Sequence, residues 1–127
     1  MSLESDVVAV IDDDAMVRRA LEALLRAGGY MGELYESSEA FLQRAATCSA
    51  ICLLVDVQLG SGSGFDLAKR LSEAGFEFPI IFMTANADKT ALRRAMAAGG
   101  LGCLQKPFTA DLLMDLLIKS KRVFNHQ

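Results

Sequence analysis

Five times along the chain a short apolar run gives way to a longer stretch whose apolar residues recur every three or four positions. The short runs are Val7 to Ile11, Met31 to Tyr35, Ile51 to Val55, Ile80 to Met83 and Gly102 to Leu104. Four of them are almost wholly apolar, as strands buried on both faces of a parallel sheet are. The stretches between predict helices over about Ala15 to Ala27, Ser38 to Ala46, Phe65 to Ala74 and Asp88 to Ala98, with a last one starting at Thr109. The first sets Val17, Ala20, Leu21, Leu24 and Leu25 on one face and is stopped by Gly28-Gly29. Thr109 is the expected cap of the last helix, whose Leu112, Leu113, Leu116 and Leu117 turn to the sheet. The fold class is therefore α/β, a (βα)5 chain. Right-handed crossovers wind such a chain into a doubly wound, five-stranded parallel sheet with helices on both faces.

At 127 residues there is room for one domain. Its expected span is 7–122, with 1–6 a disordered N-terminus or cloning remnant and 123–127 a tail or the start of a linker. A composition 52% hydrophobic can fill a core. The longest apolar runs fall far short of the roughly 20 residues that cross a bilayer, which excludes a membrane protein of helical type. Met1-Ser2-Leu3-Glu4 has no basic start followed by an apolar stretch, so a cytoplasmic location is expected. Cys48, Cys52 and Cys103 form no Cys-x-x-Cys pair and read as free, buried thiols. A net charge of -3 offers no basic stripe for nucleic acid. The six methionines read as mostly core filler, Gly60 to Gly64 as a flexible connection, and His126 as a solvated or disordered tail residue.

Ligands of doubly wound sheets bind beyond the carboxyl ends of the strands, so the residues that follow each strand matter most. Strand one is followed by Asp12-Asp13-Asp14, strand three by Asp56, strand four by Thr84 and strand five by Gln105-Lys106-Pro107. Strand two leads to Glu36-Ser37-Ser38, an approach to a helix cap, which fits an edge position. Converging carboxylates raise one another's pKa unless a cation sits among them. The implied ligand is a hard divalent ion, and Mg²⁺ suits an open cluster of Asp12, Asp13 and Asp56. Lys106 and the Thr84 hydroxyl can then meet the oxygens of a phosphoryl group. Each residue also has a plainer role. An Asp in the triplet caps the following helix, which is all that is expected of Asp14. Thr84 alone is an ordinary strand residue, and Lys106 alone a surface lysine. Four coincident strand ends decide for a site.

Val10-Ile11-Asp12-Asp13-Asp14, Leu54-Val55-Asp56, Phe82-Met83-Thr84-Ala85 and Lys106-Pro107-Phe108, with Gly64 after the acceptor loop, resemble the receiver domains of two-component response regulators from Val7 to about Arg122. The resemblance implies the flavodoxin-like strand order 2-1-3-4-5. It implies that Asp56 accepts a phosphoryl group from a histidine kinase or phosphotransfer protein. Asp13, Asp56 and the main-chain carbonyl of Gln58 would bind Mg²⁺ directly, with Asp12 helping through water. Thr84 and Lys106 would hold the phosphate, and a cis Lys106-Pro107 bond would aim Lys106 inward. The expected consequence is a change on the face of the fourth helix, fifth strand and fifth helix that controls homodimerisation or an output domain. The runs Asp56-Val57-Gln58-Leu59 and Pro79 to Met83 look like regulators with a C-terminal helix-turn-helix.

The chain departs from the family at Cys103, where receivers commonly carry the Tyr or Phe whose rotamer moves with the threonine matching Thr84. Backbone movement is expected to carry the signal instead. Gly60 stands where Pro is frequent, predicting a looser loop, and Asn86 stands where the family tunes the access of water to the acyl phosphate. Two other readings remain open. One is a degenerate receiver serving as an unphosphorylated interaction module. The other is a small Mg²⁺-dependent aspartyl-phosphate phosphohydrolase, against which Asp56-Val57-Gln58 lacks a second Asp two residues after the nucleophile.

Overall fold

The computed structural model describes residues 5–60 and 62–125. Thus the expectations for His126 and for the first four residues lie outside the described residues. Five parallel strands make the central sheet: β1 (Val7–Ile11), β2 (Met31–Tyr35), β3 (Cys52–Asp56), β6 (Ile80–Thr84) and β7 (Gly102–Gln105). A separate two-residue hairpin is formed by β4 (Gln58–Leu59) and β5 (Gly62–Ser63). The sheet order is β2-β1-β3-β6-β7, which is 2-1-3-4-5 once the hairpin is set aside. Around it lie α1 (Ala15–Ala27), α2 (Ser38–Leu42), α3 (Gly64–Glu73), α4 (Lys89–Ala97) and α5 (Ala110–Asn125).

Strand periodicity divides the core into two layers. Ala9, Ile11, Leu53, Val55, Ile80 and Phe82 point to the face covered by α2, α3 and α4 through Phe41, Leu67, Leu71 and Ala95. Val8, Val10, Leu54, Ile81 and Met83 point to the opposite face, where α1 and α5 supply Leu21, Leu25, Leu113 and Leu117. Burying each such side chain contributes about 1.5–3 kcal/mol, so the sheet register is strongly specified. Chain entry is tied as well: the Asp6 carbonyl accepts from the Met31 N–H at 2.9 Å, and its carboxylate lies 2.7 Å from Lys121 Nζ.

Predicted caps fall in place. Asp14 accepts from Met16 and Val17 N–H at the start of α1, Ser37 accepts from Ala40 at α2, and the Thr109 hydroxyl accepts from Leu112 N–H at 3.3 Å. Three expectations need correction. The second helix does not run to Ala46: α2 ends at Leu42 and a 3-10 turn follows over Ala45–Thr47. The stretch from Gly60 to Gly64 is not a plain flexible connection. Leu59 pairs with Gly62, Ser63 caps α3 by accepting from Phe65 and Asp66, and Gly64 opens that helix. The methionines are not mostly core. Met83 is buried, whereas Met16 and Met96 are exposed on the outer faces of α1 and α4 and Met31 at the start of the edge strand β2. Of the three thiols Cys52 alone is fully buried, with Cys48 and Cys103 half-buried.

Candidate functional site

Register brings the strand ends level. Ile11 lies beside Val55, Asp56 beside Met83 and Thr84 beside Gln105, so the last residues of β3 and β6 and the residues just past β1 and β7 converge at one end of the sheet. Main-chain bonds extend the ladder into the site: Asp12 N–H donates to the Tyr35 carbonyl at 3.1 Å, Val57 N–H to Met83 at 2.8 Å and Lys106 N–H to Thr84 at 2.8 Å. There Asp12, Asp13, Asp56, Gln58, Thr84, Asn86 and Lys106 line a single open cleft.

Lys106 is its hub. Its Nζ lies 2.7 Å from Asp56 Oδ2 and 2.9 Å from Asp12 Oδ2, and the Lys106-Pro107 peptide bond is cis, as the family resemblance implies. Burial alone would push the Lys106 ammonium toward neutrality, but its hydrogen bonds to Asp56 and Asp12 outweigh that and hold its pKa above the usual 10.5. Asp12 is fully buried; desolvation first and the Asp56 charge second raise its pKa, although the Asp14 N–H and Lys106 oppose this. The second oxygen of Asp56 accepts from the Gln58 N–H at 2.9 Å. Asp13 is exposed, and its Oδ2 accepts from the Gly60 N–H at 3.0 Å.

Among the described residues, Asp12, Asp13 and Asp56 are the cluster that fits a metal ion, each offering one carboxylate oxygen within 4.8 Å of the others. Three hard oxygen donors faced by a single ammonium leave net negative charge, which suits Mg²⁺. Thr84 is in the cleft with its hydroxyl turned to its own loop, donating to the Asn86 carbonyl at 3.3 Å and accepting from the Asn86 N–H at 3.2 Å. Cys103 does not line the cleft; it is paired with Phe82 on β6 and packs against the layer covered by α2, α3 and α4.

Three contacts were not anticipated. Arg18 Nη1 donates to the Asp12 carbonyl at 2.7 Å, Gln105 Oε1 accepts from the Ala87 N–H at 3.1 Å, and Gly60 supports Asp13. Arg18 carries a sequence signal, since it stands off the apolar face of α1 one turn from Asp14. The other two link segments that only the folded chain brings together.

Residues 8–118 match the response regulator receiver domain family. The response regulator protein TmoT of Ectopseudomonas mendocina is 32% identical over 114 residues, covering 90% of this chain and 52% of its own. The transcriptional regulatory protein FixJ of Bradyrhizobium diazoefficiens is 34% identical over 110 residues, covering 87% and 54%. A crystal structure of a response regulator receiver protein from Burkholderia phymatum superposes with a TM-score of 0.81 at 34% identity, covering 93% of this chain and 96% of that one. The chain belongs to the receiver domains of two-component response regulators. It spans about half the length of the curated relatives it matches.

Proposed function

We propose that this domain is a phosphoacceptor switch in which Asp56 takes a phosphoryl group from a histidine kinase or phosphotransfer protein. The observation that carries this reading is the pair of contacts from Lys106 Nζ to Asp56 and Asp12, inside a cleft with three carboxylates. A carboxylate oxygen of Asp56 forms the new P–O bond while the P–N bond to the donor imidazole breaks, and the imidazole leaves with the electron pair and takes up a proton. Little covalent chemistry is asked of the protein, because the transition state is loose and catalysis is positioning plus charge stabilisation. Lys106 would follow a phosphoryl oxygen, and the Thr84 hydroxyl would turn from Asn86 to another.

Asp13, Asp56 and the Gln58 carbonyl would hold Mg²⁺ directly, with Asp12 acting through water; a bound ion supplies positive charge to the carboxylates and the phosphoryl oxygens. The acyl phosphate then reshapes the face formed by α4, β7 and α5, which governs homodimerisation or a C-terminal output domain. The name of FixJ as a transcriptional regulatory protein supports a transcriptional output. In this reading the domain works in the cytoplasm, where a histidine kinase delivers the phosphoryl group, and its net charge of -3 offers no basic stripe for nucleic acid. Among the described residues no helix is long and apolar enough to cross a membrane. The test is intact-mass analysis after incubation with acetyl phosphate, with and without Mg²⁺, on this protein and on Asp56→Asn. One phosphoryl adduct is expected, requiring Mg²⁺ and absent from the variant. No adduct, together with no binding of beryllofluoride, would leave the fold as an unphosphorylated interaction module.

A further inference from the structure

The three carboxylates of the cleft are not held alike. Asp12 is fixed by the Asp14 N–H and by Lys106, and Asp56 by the Gln58 N–H and by Lys106. Asp13 sits on the exposed turn between β1 and α1, and among the described residues the partner of its side chain is the Gly60 N–H, 47 positions away. Gly60 has φ +60, a left-handed conformation that L side chains seldom adopt. Proline in its place would remove the N–H and fix φ near -65°. Gly60 presents a main-chain donor.

We infer that the Gly60 N–H is a positioning group for the ion site: it holds Asp13 Oδ2 and orders that carboxylate before an ion arrives. The inference rests on the Mg²⁺ reading proposed above. An exposed carboxylate that is already oriented loses less freedom on binding, worth about threefold to tenfold in affinity. The side chain at position 60 is not what matters. A Cβ there would stand 4.0 Å from Asp13 Oδ2 in ordinary contact, so alanine keeps both the space and the donor and costs only backbone strain.

The experiment is a ¹H–¹⁵N titration of the 127-residue protein with MgCl₂ alone, on the wild type, Gly60→Ala, Gly60→Pro and Asp13→Ala. In Mg²⁺-free buffer the Gly60 amide should shift and lose exchange protection in Asp13→Ala. The Mg²⁺ Kd should stay within about twofold in Gly60→Ala and rise about threefold to tenfold in Gly60→Pro. A folded Gly60→Pro that binds Mg²⁺ as tightly as the wild type overturns the inference. So does a Gly60 amide indifferent to Asp13→Ala, and this readout decides alone if Gly60→Pro does not fold. A wild type that binds no Mg²⁺ would instead overturn the metal reading, and with it the purpose assigned to the contact, while the amide readout still reports whether the contact forms.

Discussion

Gly64→Ala is the substitution whose outcome the geometry fixes most narrowly. Gly64 is buried at the first position of α3, its N–H donating to the Val57 carbonyl at 2.8 Å. A Cβ there would lie 2.7 Å from Val55 Cγ1 and 3.1 Å from the Asp56 carbonyl carbon, and closer still to the Asp56 carbonyl oxygen. The Val55 contact alone falls about 0.7 Å short of the 3.4 Å at which ordinary contact begins. Two of the three obstacles are backbone, which has no rotamer to change. Overpacking of this kind costs about 3 kcal/mol at the upper end of its usual range, and the better helix propensity of alanine returns at most about 1 kcal/mol. The net loss is about 2 kcal/mol, a fall in Tm of about 8 °C for a domain of this size. Far-UV circular dichroism melts would measure it. Gly75→Ala is the control, because nothing lies within 4 Å of its Cβ and its φ of +89 is the sole obstacle. It should lose only about 1 kcal/mol, through strain. The two also separate at the site. Gly64→Ala pushes on Asp56 and should slow adduct formation with acetyl phosphate, whereas Gly75→Ala should not. A Gly64→Ala protein as stable as the wild type would refute the reasoning, since the approach of α3 to β3 would then be slack.

Asp12→Asn should raise the Tm in Mg²⁺-free buffer and narrow its advantage when MgCl₂ is added. Burial raises the Asp12 pKa above 3.8, so the stability it contributes is present below 3.8 and lost as pH rises through the raised value; the uncharged Asn side chain escapes that loss. Stability should hold at neutral pH and fall as pH rises from about 9 to 12 in a series of melts. Burial lifts Cys52 from 9.0 to about 12 and Tyr35 from 10.0 to about 12, and the carboxylate partners of Lys106 outweigh its burial to hold it above 10.5. All three raised values favour the folded chain below the unfolded pKa and lose that contribution as pH passes the folded one; an unchanged Tm at pH 11 would contradict them. Gln105→Ala removes the acceptor of the Ala87 N–H and should leave adduct formation at Asp56 intact while shrinking the beryllofluoride-induced chemical-shift changes on α4 and α5; full-sized changes would exclude a role in coupling.

The sheet was legible because parallel strands buried on both sides leave uninterrupted apolar runs, and β1, β3 and β6 are of that kind. The cleft was legible for a related reason: in a doubly wound sheet the residues at and just beyond the carboxyl end of each strand need no tertiary knowledge to be placed. Asp12, Asp13, Asp56, Thr84 and Lys106 all stand there and all line the cleft. What sequence could not supply was main-chain chemistry between distant segments. A glycine-rich stretch reads as loose from composition, yet Gly60 is held by Asp13 and Gly64 by its fit against Asp56, neither visible without the partner. The exposed methionines misled for the opposite reason. Met16 and Met96 are apolar by composition, but helical phase puts them outside.

On the proposed reading, with Cys103 where the family commonly carries an aromatic, a signal leaving the cleft takes another carrier. The register pair Thr84 and Gln105 offers one. The Thr84 hydroxyl holds the Asn86 main chain through both its N–H and its carbonyl, and the next residue, Ala87, is held by the Gln105 side chain. On the proposed reading, a phosphoryl group on Asp56 draws the Thr84 hydroxyl inward and so breaks its bonds to Asn86. The loop before α4 then keeps its tether from Ala87 to Gln105 on β7. Lys106, the residue after Gln105, is drawn at the same time from the Asp12 and Asp56 carboxylates toward the phosphoryl oxygens. Both ends of one short path, the loop that leads into α4 and the strand that leads into α5, thus feel the same event at the main chain. That arrangement needs no ring to swing, and a residue as small as Cys103 can occupy the aromatic's place without severing it.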